Sequence, residues 1–320
     1  MGQGSLPSFS FLLVLVIPKV LLSCYNIMYP GNKHRSQKDF FLRRFRMNIR
    51  LIAFDLDGTL LNSKKAVSPR TKAALERAAG KGALLVPATG RLHRDMPEDV
   101  RSLPSFRYVI AINGAEVYDF QEERLLHEIN LDRASALELM KYMDTLPAIY
   151  GWYQGGQGFI SSLYYERMEE FAHAPWLFDS MKRAYTPTEN PKKTLLEEKS
   201  GPQKLQLYFR DLEARKKALL EIPRLFPQCA VSSSLPINIE INATDATKGH
   251  ALAFLTKHLG LKTEETLAFG DGTNDITMIR QAGTGVAMGN AAPEMLAAAD
   301  RVTASNDEDG LAKILEELGF

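Results

Sequence analysis

The sequence predicts an α/β fold: a parallel sheet with helices on both faces, into which an α+β domain is inserted. From Met47 onward, short apolar strands alternate with amphipathic helices, which is typical of parallel βαβ units with right-handed crossovers. Polar residues gather after the strands, at the edge where open α/β sheets bind their ligands. The middle third of the chain breaks this alternation and therefore indicates a second domain.

The first 46 residues form a leader that differs in composition from the rest of the chain. They carry seven Lys and Arg side chains against one Asp, and their unbroken apolar stretch covers only residues 11–17. A membrane-spanning helix needs about 20 apolar residues, and a signal peptide has its positive charge before the apolar run rather than after it. We expect the folded protein to begin near Met47, with a leader that is disordered or a mis-assigned start. A membrane anchor with a basic flank is the alternative.

Composition narrows the class of protein. A chain of 320 residues can bury a substantial core and holds one to two domains. After the leader the chain is mildly acidic, so it offers no basic stripe for nucleic acid. Cys24 and Cys229 give neither a disulfide framework nor metal-ligand spacing, which favours a reducing, cytoplasmic location. We expect no nucleic-acid partner and no membrane association, and the sequence does not indicate the oligomeric state.

The predicted core consists of residues 47–128 and 236–320. It opens with a strand over residues 49–54 and the helix Pro69–Gly80, whose apolar positions lie on one side. Four further strands and one helix complete the alternation. The strands are predicted at residues 83–87, 108–112, 267–269 and 285–288, and the helix at 251–259.

Residues 129–235 are predicted to form the inserted α+β domain. A hairpin is expected from residues 148–153 and 159–162 around a Gly-rich turn, together with helices at 133–144 and 163–171 and a strand at Lys204–Phe209. No Gly-Lys-Ser/Thr follows the Gly-rich segment, so a phosphate loop is not expected there. Most of the bulky aromatic residues lie in this domain, where core packing is a more common role than ligand stacking.

The strongest local signal is the pair Asp55 and Asp57, which follows an apolar run and precedes a Gly-Thr turn. Residues two apart on a strand point the same way, so both carboxylates should project from the carboxyl end of the strand. Two such anions repel by roughly 4 kcal/mol at about 4 Å and an effective dielectric of about 20. The pair therefore predicts a bound cation, although an Asp-rich turn with a purely structural role is the alternative.

Three further polar groups lie at predicted strand or helix ends. Thr89 and Gly90 follow the second strand, where a hydroxyl and backbone N–H groups could hold a phosphate. Lys248 precedes a helix. Each group alone is compatible with a simple turn, a solvated cation or a helix cap. The third group follows the strand 267–269 and consists of Asp271, Asn274 and Asp275. Together, the three groups indicate a site for a divalent metal and a phosphate.

These segments, in this order, resemble the four motifs of the haloacid-dehalogenase-like phosphatase superfamily. They are Asp55-Leu56-Asp57-Gly58-Thr59, Thr89-Gly90-Arg91, Lys248-Gly249 and Gly270-Asp271-Gly272-Thr273-Asn274-Asp275. The long insertion and the segment 285–291 resemble the Cof-type branch of that superfamily. The resemblance covers Met47 to Phe320. It implies a Rossmann-like core with an inserted α+β cap domain that determines substrate specificity.

The resemblance also implies a role for each motif residue. Asp55 would be the nucleophile that forms an aspartyl-phosphate, and Asp57 the general acid and base. Mg²⁺ would be held by an all-oxygen site, with Asp275 orienting a metal-bound water. The metal ligands would be Asp55, the main-chain carbonyl of Asp57, and Asp271. The phosphate would be bound by Lys248, Thr89, Asn274 and the backbone of Leu56 and Gly90.

The implied activity is the hydrolysis of small phosphorylated metabolites, such as sugar phosphates or phosphorylated cofactors. Four carboxylates against one Mg²⁺ and one lysine would leave the site at −1, which predicts weak phosphate affinity without the metal. A sugar phosphomutase and a non-catalytic phospho-ligand sensor are the alternatives. Release of phosphate without a bisphosphate activator would separate the hydrolase from the mutase.

Overall fold

A computed structural model describes residues 48–103 and 106–320 of the chain. The predictions for the leader therefore lie outside the described residues. The core is a five-stranded sheet in the order β14-β13-β12-β1-β2, in which every neighbouring pair is parallel. This confirms the α/β prediction. The strands are β1 (Leu51–Phe54), β2 (Leu84–Pro87), β12 (Thr266–Gly270), β13 (Thr284–Ala287) and β14 (Arg301–Val302).

Both faces of the central strand β1 are buried, as expected for a parallel sheet covered on two sides. Ile52 and Phe54 pack into one hydrophobic cluster, and Leu51 and Ala53 into another. Helices α1 (Pro69–Gly80) and α12 (Gly310–Glu317) cover the first face. Helices α9 (Lys248–His258) and α10 (Ile276–Gln281) cover the second.

Local signals fix where these helices begin. Ser68 caps α1 by accepting a hydrogen bond from the Thr71 N–H, and Pro69 occupies the first helical position. Thr247 caps α9 by accepting from the His250 N–H, so this helix begins at Lys248, three residues before the predicted start. The remaining helices are α2 (Glu98–Arg101), α3 (Arg133–Met143), α4 (Ser162–Glu166), α5 (Met168–Phe171), α6 (Pro175–Ala184), α7 (Pro191–Glu197), α8 (Leu212–Leu225) and α11 (Pro293–Ala298).

The strand predicted at residues 108–112 is present, but it belongs to a separate antiparallel sheet. Strand β3 (Tyr108–Ala111) joins β2 only through single parallel bridges, and it pairs antiparallel with β4 (Glu116–Asp119) and then β5 (Arg124–Glu128). Asn113 has φ of 61° and Gly114 has φ of 100°, so the chain reverses directly after β3. A tight reversal permits only antiparallel pairing.

The insertion contains a six-stranded sheet in the order β10-β11-β9-β6-β7-β8. Its last strand along the chain, β11 (Asn238–Ala243), lies beyond the predicted boundary at residue 235, so we propose that the insertion ends after Ala243. The helix predicted at 163–171 is two short helices, α4 and α5, with Arg167 between them. The other strands are β6 (Ala148–Gln154), β7 (Gln157–Ser161), β8 (Tyr185–Thr188), β9 (Lys204–Phe209) and β10 (Cys229–Ser232).

The helices within residues 48–103 and 106–320 do not meet the requirements of a membrane span. None of them has both the length and the apolar character that crossing a bilayer requires. The longest helices of this part of the chain are instead amphipathic. Helix α8, for example, buries Ala218 and Ile222 against the insertion's sheet and exposes Lys216 and Lys217.

Candidate active site

Asp55 lies at the carboxyl end of β1 and is held by Lys248. The Lys248 ammonium donates hydrogen bonds to Oδ1 of Asp55 and to Oδ1 of Asp275, both at 2.5 Å. Lys248 is fully buried, and its pKa is raised because the two carboxylates outweigh the effect of burial. Burial raises the pKa of Asp55 well above its usual range, and the neighbouring Asp275 and Asp271 raise it further. Positions separated by more than 190 residues therefore meet at one edge of the sheet.

Asp271 is placed against the turn that follows β1. Its Oδ1 accepts a hydrogen bond of 2.8 Å from the Thr59 hydroxyl. Gly58 has φ of 90°, and a Cβ on this residue would lie 2.3 Å from Oδ2 of Asp271. Only glycine allows this approach, which explains its position after Asp57. Burial and the nearby Asp275 raise the pKa of Asp271 to about 6.

Three carboxylates at this edge could hold a metal ion. One oxygen from each of Asp55, Asp271 and Asp275 lies within 4.8 Å of the others. An all-oxygen donor set of this kind suits Mg²⁺, and a divalent cation would offset the repulsion that adds to burial in raising the pKa of Asp55 and Asp271. The residues present therefore fit a metal. Oδ2 of Asp275 accepts the backbone N–H groups of Asp271 and Gly272, so this carboxylate also fixes the loop.

The carboxylate of Asp57 is directed away from this group and toward two cations. Arg91 donates to both Asp57 oxygens at 2.8–3.1 Å, and Lys65 Nζ lies 2.8 Å from Oδ1. Burial works to raise the pKa of Asp57, but Arg91 and Lys65 outweigh it and keep the pKa below its usual range. Counting these two cations, the site carries one net negative charge without a metal and one net positive charge with Mg²⁺. The motif residues alone predict a charge of −1 with Mg²⁺ bound, so Arg91 and Lys65 change the charge of the metal-bound site from −1 to +1.

The predicted phosphate-binding residues surround the same cleft. Thr89, Gly90 and Asn274 line it together with Asp55, Asp57, Asp271 and Asp275. The Thr89 hydroxyl accepts from the Arg91 N–H at 3.2 Å, and Asn274 Nδ2 donates to Asn113 Oδ1 at 3.2 Å. The side chain of Leu56 packs in the core, so only its backbone is close to the site. Lys248 reaches the cleft through Asp55 and does not line it.

The insertion forms the opposite wall of the cleft. The aromatic residues there have two different roles. Trp152 is fully buried in the insertion's own core, as predicted for aromatics in general. Tyr153 and Trp176 instead line the cleft, together with Lys204, Gln206, Tyr208 and Glu240. His93, the histidine nearest to the motifs in sequence, does not face the cleft; it pairs with Glu116 at 2.8 Å and stacks on Tyr118.

Sequence reasoning missed four charged residues at this site: Lys65, Arg91, Lys204 and Glu240. Arg91 is the last residue of the motif Thr89-Gly90-Arg91, but nothing in the sequence indicates that it reaches Asp57. Lys204 and Glu240 lie on strands where polar and apolar residues alternate, namely Lys204-Leu205-Gln206-Leu207 and Asn238-Ile239-Glu240-Ile241. This alternation indicates a sheet with one polar face, and it could have identified them.

The fold and the acidic edge define a phosphotransfer enzyme of the haloacid-dehalogenase-like class. The model of the haloacid dehalogenase-like hydrolase family matches residues 52–315. The chain belongs to this family, which confirms the resemblance of its motifs.

Individual relatives extend this assignment. The chain is 31% identical over 278 residues to the 5-amino-6-(5-phospho-D-ribitylamino)uracil phosphatase YcsE of Bacillus subtilis, covering 86% of this chain and 97% of that protein. It is 33% identical over 288 residues to phosphatase YwpJ of the same organism, with coverages of 84% and 100%. A solved haloacid dehalogenase-like hydrolase from B. subtilis superposes with a TM-score of 0.73 at 30% identity, covering 83% and 99% of the two chains. The protein is a phosphatase that acts on phosphorylated substrates.

Proposed function

We propose that this enzyme is a Mg²⁺-dependent phosphatase that hydrolyses small phosphorylated metabolites through an aspartyl-phosphate on Asp55. The observation that carries the proposal is the Lys248 ammonium, which joins Asp55 and Asp275 directly beside Asp271. A nucleophilic carboxylate, a fixed cation and an acidic cluster at one cleft are the elements that phosphoryl transfer requires. This arrangement supports hydrolysis more than a purely structural role for the carboxylates.

Asp55 would attack phosphorus through the oxygen that Lys248 does not bind. Lys248 holds Oδ1, which leaves Oδ2 for the new O–P bond. Mg²⁺, when bound by Asp55, the Asp57 carbonyl and Asp271, would neutralise charge on the transferring phosphoryl group. Asp275 would act from outside this set, because its oxygens already accept from Lys248 and two backbone N–H groups. Thr89, Asn274 and the backbone of Leu56 and Gly90 would bind the phosphate oxygens.

Asp57 would transfer protons in both steps. Arg91 and Lys65 hold it as a carboxylate, the form that takes a proton from the attacking water in the second step. The first step needs the protonated form in order to donate to the leaving alcohol. A substrate phosphate carries about two negative charges and would compete with Asp57 for Arg91 and Lys65. This competition would favour the protonated form of Asp57.

The cleft and the relatives together suggest the class of substrate. The insertion wall combines aromatic rings, Tyr153 and Trp176, with the amide of Gln206. Such a wall suits a leaving group with a polar planar ring. The relative YcsE is named for 5-amino-6-(5-phospho-D-ribitylamino)uracil, in which a phosphorylated sugar alcohol carries such a ring. We propose this compound as the first substrate to test, with sugar phosphates as the comparison.

The test is a panel of phosphorylated metabolites in which released inorganic phosphate is measured with and without Mg²⁺. We expect release only with the metal, and faster release from the ribitylaminouracil phosphate than from simple sugar phosphates. Metal-independent turnover would refute the role of the acidic cluster. Transfer of phosphate to a second sugar hydroxyl instead of water would indicate the mutase.

A further inference from the structure

A buried ion pair from the insertion reaches the core side of the cleft. Lys204 on β9 and Glu240 on β11 are each only 2% exposed, and Lys204 Nζ lies 3.2 Å from Oε1 of Glu240. The same ammonium donates a hydrogen bond of 2.7 Å to the carbonyl of Gly90, in the loop after β2. It also lies 4.7 Å from the centre of the Tyr153 ring. A charged residue of the insertion therefore contacts the loop that is proposed to bind phosphate.

The contacts continue from Glu240 to the other phosphate loops. Asn113 Nδ2 donates to Oε2 of Glu240 at 2.7 Å, and Asn113 Oδ1 accepts from Asn274 at 3.2 Å. The Asn113 backbone N–H donates to the carbonyl of Thr89 at 3.0 Å. A Cβ on Gly90 would lie 2.9 Å from Asn113 Oδ1, so the loops are closely packed. Asn113 thus joins the ion pair to both loops, to Asn274 through its side chain and to Thr89 through its backbone.

Stability alone does not account for this pair. Desolvation makes a buried ion pair costly, and apolar residues of similar volume are often as stable or more stable at such positions. What the pair does provide is a fixed direction for each group that it binds. Those groups are the Gly90 carbonyl and, through Asn113, the side chain of Asn274.

We propose that Lys204 and Glu240 are positioning residues that fix the two phosphate-binding loops, so that the insertion completes the phosphate site in addition to covering it. Lys204 orients the peptide that follows Gly90, and Glu240 orients Asn274 through Asn113. The inference rests on the proposed role of Thr89, Gly90 and Asn274 in phosphate binding. It assigns no contact with the reacting atoms to Lys204 or Glu240.

The test measures inhibition by inorganic phosphate in the presence of Mg²⁺, with p-nitrophenyl phosphate as the substrate. Two variants break the connection in different ways. Asn113→Gly removes the bridging side chain and keeps the backbone conformation, because glycine readily adopts positive φ. The double variant K204M/E240Q removes both charges and leaves no unpaired ion. The control is R107M/D119N, which removes the Arg107–Asp119 pair, whose carboxylate is also 2% exposed but lies outside the cleft.

We expect both test variants to raise the inhibition constant for phosphate about tenfold or more, the effect of losing a hydrogen bond to a charged group. The Mg²⁺ concentration for half-maximal activity should stay that of the wild type, because none of the altered residues belongs to the acidic cluster. The control should bind phosphate as the wild type does. Folded test variants with wild-type phosphate inhibition would overturn the proposal.

Two further measurements keep the outcome clear. Asn274→Ala tests the phosphate site itself: if it leaves phosphate inhibition unchanged, the assignment of that site is wrong rather than the positioning role. Hydrogen exchange on the wild-type enzyme needs no variant. Phosphate with Mg²⁺ should slow amide exchange in β9 and β11 relative to Mg²⁺ alone, because coupling between two sites is reciprocal. Unchanged exchange in these strands would also contradict the proposal.

Discussion

The two walls of the cleft are built on different principles. On the core wall, charged groups are bound to one another: Lys248 joins Asp55 and Asp275, while Arg91 and Lys65 hold Asp57. On the insertion wall, aromatic rings and an amide face the space beside a single buried ion pair, Lys204–Glu240. In the proposed mechanism the core wall would act on the phosphate of any monoester, because it would bind only the group that all such substrates share. The insertion wall would contact the part of the substrate that differs, so we expect it to determine which alcohol leaves.

The sharpest test of this division is Asp55→Asn, for which we expect no measurable turnover of any phosphate ester. The amide cannot act as the nucleophile, yet its size and its contact with Lys248 are nearly the same. The folded state should persist, as judged by circular dichroism and thermal unfolding. Asp99→Asn, an exposed position outside the cleft, is the matched control and should be fully active. Residual activity on even one substrate would remove Asp55 as the nucleophile.

Asp57→Asn should reduce the rate by about 10² to 10⁴, the usual contribution of a general acid–base group. The loss should depend on the leaving group. An alkyl phosphate needs a proton on its departing oxygen, whereas p-nitrophenolate leaves without one. We therefore expect a smaller loss of kcat for p-nitrophenyl phosphate than for a sugar phosphate. Equal losses for the two substrates would contradict the role of Asp57 as an acid in the first step.

The core wall could be predicted from the sequence much more completely than the insertion wall. Asp55 and Asp271 each follow a buried parallel strand, and such strands end at a common edge, so their proximity is a consequence of the fold. The partners of Asp57 could not be predicted from the sequence. The contact of Arg91 depends on its side-chain conformation, and the contact of Lys65 depends on the conformation of the turn that carries it. Lys65 has φ of 59°, a conformation that residue type did not indicate.

The insertion is less predictable from the sequence for a different reason. Its sheet is antiparallel except for the β7–β8 pair, and alternation along β9 and β11 identifies a polar face but not what that face contacts. The predicted boundary at residue 235 also separated β11 from the sheet to which it belongs. That boundary places Glu240 in the core, although its strand pairs with β9 and β10.

Mg²⁺ binding should stabilise the core wall by an amount that thermal unfolding can detect. A ligand that binds only the folded state contributes ~2.7 kcal/mol at about 100 times its Kd. The acidic cluster gives the effect a clear origin, since the cation offsets the repulsion among Asp55, Asp271 and Asp275. Asp271→Asn should weaken the stabilisation, whereas Asn113→Gly should not. An unchanged unfolding temperature in saturating Mg²⁺ would count against the metal site.

The smallest effect is expected on the insertion wall, for Trp176→Ala. The indole is 44% exposed at the cleft and lies 4.8 Å from Lys65 Nζ. Loss of an aromatic stack worth about 1 kcal/mol should raise KM roughly fivefold for a substrate with a planar ring. KM for an acyclic sugar-alcohol phosphate should hardly change, and Trp176→Phe should retain most of the difference. If KM instead rises equally for both substrates, Trp176 acts through Lys65 and Asp57, and the division between the two walls is less complete than their composition indicates.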